Sequence, residues 1–300
     1  MVVAILIGLA ILAVVFGGAV IATAVARHEL TPRPEAIALG FVTNFFDTLG
    51  IGSFAPTTAW LKLRKIVPDS YIPAVLNVGH AIPTVVQAAI FIHLVQVDPW
   101  LLVACIAASV VGAVVGAPIV VRMPVRAVQG VVGVALLAAV VAFVMTNLGL
   151  APGGGTALFL PPAKFALAVA AYFILGALMT CGIGLYAPSL VMFSLMGLDT
   201  RAVFPIMMGA CAFLMPAGSV GFLRSRRIDL RVVTAIALGG VPAVLLAALV
   251  VKSLPLTAIR WGVVVVVLYT AVLLLRSALR PALAEAAFLA EPPVAEPGTL

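Results

Sequence analysis

The chain has 300 residues, 64% of them hydrophobic and only 9% charged, with a mean hydropathy of +1.30. That leaves too little polar surface to cover a water-facing globule, so a soluble fold is excluded and an all-α polytopic membrane protein is expected. The formal charge of +7 comes from Lys and Arg in short loops between apolar runs, a pattern of cytoplasmic membrane loops and not of a nucleic-acid interface.

A membrane helix needs about 20 apolar residues. The first candidate, 2–25, has no Lys or Arg before its apolar run and is followed by Arg27 and Arg33, so its N-terminus is expected outside. Ala22-Thr23-Ala24 resembles a signal-peptidase site, but the missing basic flank and the long apolar run favour a retained anchor. An apolar but interrupted stretch, 36–63, comes next, then full spans over 71–95, 99–120 and 125–146. A second interrupted stretch, 163–197, precedes spans over 201–223, 230–251 and 256–276. After Pro281 the chain turns polar, with Glu285, Glu291 and Glu296, and reads as a disordered cytoplasmic tail. The expected organisation is an N-terminal helix and loop (1–35), two membrane units (36–150 and 151–280) and the tail (281–300).

The two units share a motif. Leu49-Gly50-Ile51-Gly52-Ser53-Phe54-Ala55-Pro56 is echoed 132 positions later by Cys181-Gly182-Ile183-Gly184-Leu185-Tyr186-Ala187-Pro188, with Gly, Ile, Gly, Ala and Pro unchanged. Pro73 is matched by Pro205, Asp98 by Asp229 and Arg122 by Lys252 at nearly the same offset. Paired Gly/Pro interruptions at matching places of two apolar halves point to a secondary transporter and to its binding site.

The charges choose between two topologies. If both interrupted stretches are re-entrant, thirteen basic residues share one side: Arg27, Arg33, Lys62, Arg64, Lys65, Arg122, Arg126, Arg224, Arg226, Arg227, Arg231, Arg276 and Arg280. Four lie opposite, namely Lys164, Arg201, Lys252 and Arg260. If both stretches cross, the split is nine against eight. Positive charge stays inside, so the re-entrant arrangement with seven crossings is favoured, the C-terminus cytoplasmic. Each unit then has three crossings plus one hairpin, and an odd number of crossings inverts the second unit relative to the first.

Asp47 is the one acid inside an apolar stretch, where a carboxylate costs about 2.5–3.5 kcal/mol on insertion scales. It reads as a proton-coupling group, or as a cap for the backbone freed at the break, and the two roles are compatible. Asn77, His80, Thr84 and Gln87 follow each other by three, four and three residues, which places them on one helical face as a cavity lining or as helix–helix glue. His80 is the residue on that face able to exchange a proton with water. Gly50, Gly52 and Ser53, with Gly182 and Gly184 in the second copy, offer unpaired N–H groups at the breaks. No Lys or Arg lies deep in a span, so an anion would be held by such groups and by half-helix N-termini. Asn44, Thr57 and Tyr186, flanking the breaks, complete the candidate substrate-binding set. The glycines Gly112 and Gly116, by contrast, read as a helix-packing pair. Cys105, Cys181 and Cys211 show no paired spacing, so neither a disulfide framework nor a metal site is expected.

These features resemble the sulfite exporter TauE/SafE family of bacterial membrane permeases. The resemblance covers roughly 36–276 and rests on the Gly-rich, Pro-ended segments at 40–58 and 176–189 and on the helices entered at Pro73 and Pro205. Members often show a Gly triplet at the break, where this chain has Gly52-Ser53-Phe54 and Gly184-Leu185-Tyr186. The resemblance implies carriage of a small sulfur oxyanion or organosulfonate across the bacterial plasma membrane, with the bilayer and the anion as partners and no cofactor. The oligomeric state stays open, a homo-oligomer included. Two alternatives remain. Ser53 and His80 could form an intramembrane serine protease dyad, although rhomboid-type sites prefer a Gly-x-Ser-x-Gly order; or the chain could be a passive anion channel. A paired-aspartate protease is excluded because Asp47 has no second membrane carboxylate.

Overall fold

The structure, a computed structural model, describes residues 1–116, 155–180, 182–224, 227–253 and 256–279, with scattered positions between 130 and 148. Most of the expected span 125–146, the end of 99–120, Cys181, Arg122, Arg126, Arg226, Arg280 and the tail 281–300 lie outside the described residues. Among the described residues the fold is helical throughout, and its one strand-like feature is an isolated bridge between Ala157 and Leu198.

The helices are α1 (Val2–Ala26), α2 (Pro34–Thr48), α3 (Phe54–Arg64), α4 (Ile72–Gly79), α5 (Ala81–Leu94), α6 (Pro99–Val111), α7 (Pro162–Met179), α8 (Tyr186–Met196), α9 (Thr200–Arg224), α10 (Leu230–Ser253) and α11 (Leu256–Ala278). Among the described residues, five segments are long and apolar enough to cross a membrane: α1, Ile72–Leu94, α7, α9 and Leu230–Val250. The chain is therefore a multi-helix membrane protein. The expected span 71–95 is not one regular helix, since α4 and α5 meet at His80. Pro83 explains the interruption: it has no N–H, and its ring displaces the carbonyl four residues back, at Gly79. The span expected at 99–120 passes from α6 into a π-helical turn over Gly112–Gly116.

Both interrupted stretches double back on themselves. In the first, Arg33, just before α2, donates to the Ile66 carbonyl just past α3 (3.2 Å), while Trp60 and Arg64 of α3 bond Glu35 in the first turn of α2 (3.1 and 2.9 Å). In the second, Lys164 near the start of α7 donates to the carbonyl of Met196 at the end of α8 (2.7 Å). Each stretch is thus a helical hairpin with its open ends side by side and its Gly-rich break at the tip.

The sequence echo is also an echo of backbone geometry. After α2, Gly50 turns left-handed (φ +92°), its N–H bonds the Asp47 carbonyl (2.9 Å), and the next N–H, of Ile51, bonds Phe46 (3.1 Å). After α7, Gly182 (φ +85°) bonds Met179 (3.0 Å) and Ile183 bonds Leu178 (3.4 Å). This paired closure satisfies the orphan carbonyls of a helix end and needs a left-handed residue, which is why glycine recurs there. α3 and α8 are both 11 residues long and end with the same closure, at Lys65 and Gly197. Asp98 and Asp229 cap α6 and α10 alike, accepting from Trp100 N–H (2.9 Å) and from Arg231 and Val232 N–H (3.0 and 3.1 Å).

The halves pack through each other. α2 lies most extensively against α10, and its counterpart α7 lies against α6, the counterpart of α10. Backbone meets backbone at both crossings. A Cβ added at Gly40 would overlap the Ile236 carbonyl, and one at Gly239 would overlap that of Ile37. At the other crossing, Gly176 faces Ser109 and Gly112 faces Phe173 in the same way, so Gly112 is a packing glycine. α9 lies between, against α5 and α6.

Charged residues gather by end. Arg27 bonds the Leu223 carbonyl (2.7 Å), Glu29 accepts from Leu230 N–H (3.0 Å), and Arg33 pairs with Asp229 (2.9 Å). These contacts put the end of α1, the mouth of the first hairpin and the α9–α10 turn at one end of the bundle. α9 runs 25 residues, about 37 Å, from there to Arg201. At that far end Asp199 bonds Ala157 and accepts from Arg201 N–H (2.8 and 2.7 Å), beside the mouth of the second hairpin.

Candidate functional site

The two hairpin tips meet around one small cavity, lined by Asp47, Gly52, Ser53, Phe54 and Thr84 from the first half and by Met179, Gly184, Leu185, Tyr186, Cys211 and Met215 from the second. Eight of these form four pairs at the repeat offset: Asp47 with Met179, Gly52 with Gly184, Ser53 with Leu185, Phe54 with Tyr186. The cavity therefore lies where the two copies face each other. One wall carries the polar residues Asp47, Ser53 and Thr84 and the other the sulfur residues Met179, Cys211 and Met215, and most of the surface open to the space is apolar. Its volume, about 20 Å³, suits a water molecule or a bare ion and falls far short of the roughly 300 Å³ at which small-molecule pockets begin.

Asp47 is buried, 3% exposed, at the end of α2. One carboxylate oxygen accepts the backbone N–H of Ser53 across the break (2.6 Å), so the residue does cap the tip. The other accepts from Gln87 Nε2 (2.8 Å), which also donates to Thr48 Oγ1 (2.9 Å). Gln87 Oε1 in turn accepts the Tyr186 hydroxyl (3.0 Å). This chain, Asp47–Gln87–Tyr186, ties the polar wall to the second half. Removing one end of a buried hydrogen bond costs about 1 kcal/mol, and Gln87 Oε1 would lose its donor. Tyr186→Phe is therefore expected to lower the melting temperature of the detergent-solubilised protein by a few degrees, and an unchanged melting curve would mean that the bond does not hold the halves together.

His80 belongs to a second network. Asn44 gives its Nδ2 to the Gly40 carbonyl (2.7 Å), which leaves Oδ1 to accept from His80 Nδ1 (3.0 Å). The Thr57 hydroxyl meets His80 Nε2 (3.1 Å). The amide orientation makes Nδ1 the donor to Asn44, and both ring nitrogens have a partner. His80 is fully buried and does not line the cavity. Of the polar face on α4 and α5, only Thr84 reaches the cavity; Asn77 bonds the Pro73 carbonyl of its own helix (2.9 Å) and Gln87 stands behind Asp47.

Gly52 and Gly184 open on the cavity with nothing within 4 Å of an added Cβ, and Gly52 is left-handed (φ +85°). Gly50 packs on Phe204 and Leu190, and Gly182 faces Leu76, so these two shape the turns and do not line the space. α3 and α8 start at the cavity, with Ser53 and Leu185 at their N-cap positions and no side-chain cap at either. Their first N–H groups have no intrahelical acceptor, and both positive helix ends converge there. Sequence reasoning missed Phe54, Met179, Leu185, Cys211 and Met215. Applying the offset to Asp47 and Ser53 would have found Met179 and Leu185.

Among the described residues, no three His, Cys, Asp or Glu side chains cluster as metal ligands. Comparison with protein-family models, with curated proteins and with solved structures gives no match.

Proposed function

We propose that the chain is a secondary transporter that carries a small anion across a bacterial plasma membrane together with a proton. One observation carries this reading: two doubled-back hairpins, one from each half, bring their broken tips to a shared cavity with a carboxylate in its wall. Broken helices meeting at the interface of two repeats are how many carriers build a site that either side of the membrane can reach. The two half-helix N-termini suit an anion, and no cationic side chain lines the cavity to hold it permanently. The substrate class, a sulfur oxyanion or organosulfonate, is taken from the sequence resemblance to TauE/SafE permeases. The cavity is too small for such an ion in this conformation, so the tips part when substrate enters.

In this proposal the hairpins are re-entrant and the halves are inverted. The side-by-side hairpin ends and the reciprocal packing of α2 on α10 and α7 on α6 support it. α7 has 18 residues, but Lys164 places its first turn at the surface, leaving 15 residues, as in α2, to reach the tip. The end bearing Arg27, Arg33, Arg64 and Arg231 is cytoplasmic by the positive-inside rule. Single cysteines replacing Arg27 and Lys62 should then label from the cytoplasm, and one replacing Arg201 from outside. Labelling of Arg27 and Lys62 positions from opposite sides would remove the inverted arrangement.

A Ser53–His80 protease dyad has no support in the geometry, since Asn44 and Thr57 occupy both His80 nitrogens. Labelled-anion counterflow in proteoliposomes tests the carrier reading. Saturable exchange is expected; flux that never saturates would indicate a channel, and none would leave the proposal without a basis.

A further inference from the structure

The sulfur wall of the cavity asks for a ligand that the anion reading does not supply. Met179 Sδ and Cys211 Sγ stand 3.5 Å apart. Met215 follows Cys211 by one turn of α9, and all three are buried, at 4%, 1% and 1% exposure. All three line the same cavity as Asp47. Two methionines and a cysteine line a space the size of a bare ion, and the oxygen groups beside them, the Asp47 carboxylate and the hydroxyls of Ser53, Thr84 and Tyr186, fall short of the all-oxygen shell that a hard cation needs.

We propose that this cavity binds a soft monovalent metal ion, Cu(I), with Met179, Cys211 and Met215 as its sulfur ligands and Asp47 as the neighbouring negative charge. Thioether and thiolate ligands select soft ions such as Cu(I); a set of two thioethers and one thiolate lacks the four Cys or His ligands of structural zinc sites, and Mg²⁺ and Ca²⁺ need about six oxygens. With metal–sulfur bonds of roughly 2.3 Å, as for zinc, a trigonal set has its sulfurs about 4 Å apart. The Met179–Cys211 pair would therefore open by about half an ångström, within the reach of flexible Met side chains. On binding, the Cys211 S–H bond breaks, a Cu–S bond forms and the proton leaves to solvent; copper stays Cu(I) throughout. The positive ends of α3 and α8 oppose any cation there, so the sulfur bonds and Asp47, not the general field, must hold it. No linear spacing announces this site, because Met179 lies on α7 and is brought to Cys211 and Met215 only by the fold. The reading goes beyond anion transport and does not depend on it.

The test is equilibrium titration of the purified full-length protein in detergent with Cu(I), against a chromophoric Cu(I) chelator and in the absence of any candidate anion. X-ray absorption at the copper edge would accompany it. One equivalent should bind, with a sulfur-only first shell. Met179→Leu and Met215→Leu conserve volume and should fold, yet each should weaken binding about tenfold or more. Cys211→Ser should abolish stoichiometric binding, while Cys105→Ser, at the other described free cysteine, should bind like the wild type. Absence of binding, a nitrogen or oxygen shell, or wild-type affinity in both Met variants would overturn the proposal. Anion counterflow would be untouched by that failure, since it is measured without copper.

Discussion

Asp47→Asn should exchange labelled anion across proteoliposome membranes yet fail to concentrate it when a pH gradient is imposed. An ionised carboxylate in the cavity wall repels an anion about 4 Å away by about 4 kcal/mol at an effective dielectric near 20. Adding a proton removes that repulsion, so anion and proton bind together and cross together. Asn mimics the neutral acid permanently. Its side-chain oxygen can keep the Ser53 N–H bond, and a rotated Gln87 amide can accept from its NH₂ while Tyr186 becomes the acceptor. The tip therefore stays capped. With one proton per monoanion, a gradient of one pH unit drives about tenfold accumulation in the wild type, equivalent to about 1.4 kcal/mol. The variant should reach a ratio of about one. Full pH-driven accumulation by Asp47→Asn would reduce the aspartate to a structural cap.

Gly40→Ala and Gly239→Ala should be among the most destabilising single-methyl changes in the molecule. Each added Cβ would overlap a backbone carbonyl oxygen of the partner helix, Ile236 and Ile37 respectively, and backbone cannot step aside as a flexible side chain can. α2 and α10 would have to separate along their crossing, at about 2–3 kcal/mol for each substitution by the usual cost of overpacking. The loss would reach the site too, because α2 carries Asn44, Asp47 and Thr48. Gly18→Ala is the control: nothing lies within 4 Å of its Cβ, and in the middle of α1 alanine should be neutral or stabilising by up to about 1 kcal/mol. Thermal unfolding in detergent separates the cases, and a Gly40→Ala protein that melts with the wild type would contradict the close approach of the two helices.

Much of the helical framework was legible because its causes are local. A glycine directly after an apolar run marks where α2 and α7 end, and Asp before the next run marks the caps of α6 and α10. The spacing of Asn77, His80, Thr84 and Gln87 placed all four on one face, as a cavity lining or as helix–helix glue; all four are buried, and only Thr84 reaches the cavity. What spacing could not say is which partner each would take. Gln87 and Tyr186 bond across 99 residues, and His80 finds Asn44 across 36. His80 read as a proton exchanger from its chemistry alone, and the fold places it in a buried network with Asn44 and Thr57, behind the cavity lining. Pro83 signalled the interruption at His80 in plain sight, but the apolar run around it was long enough to read as one span. The sulfur wall was hidden for a different reason: methionine in an apolar helix looks like core until a cavity shows which side it faces.

The central claim is that anion and proton move together through the cavity between the tips. It is tested most directly by the uptake of a labelled sulfur oxyanion into proteoliposomes holding the full-length chain, with and without an imposed pH gradient and with the membrane potential clamped. Uptake should saturate and should exceed equilibrium only when the side of entry is the more acidic. Uptake that is indifferent to the gradient would contradict proton coupling, and no uptake above protein-free vesicles for any small anion would contradict the carrier itself.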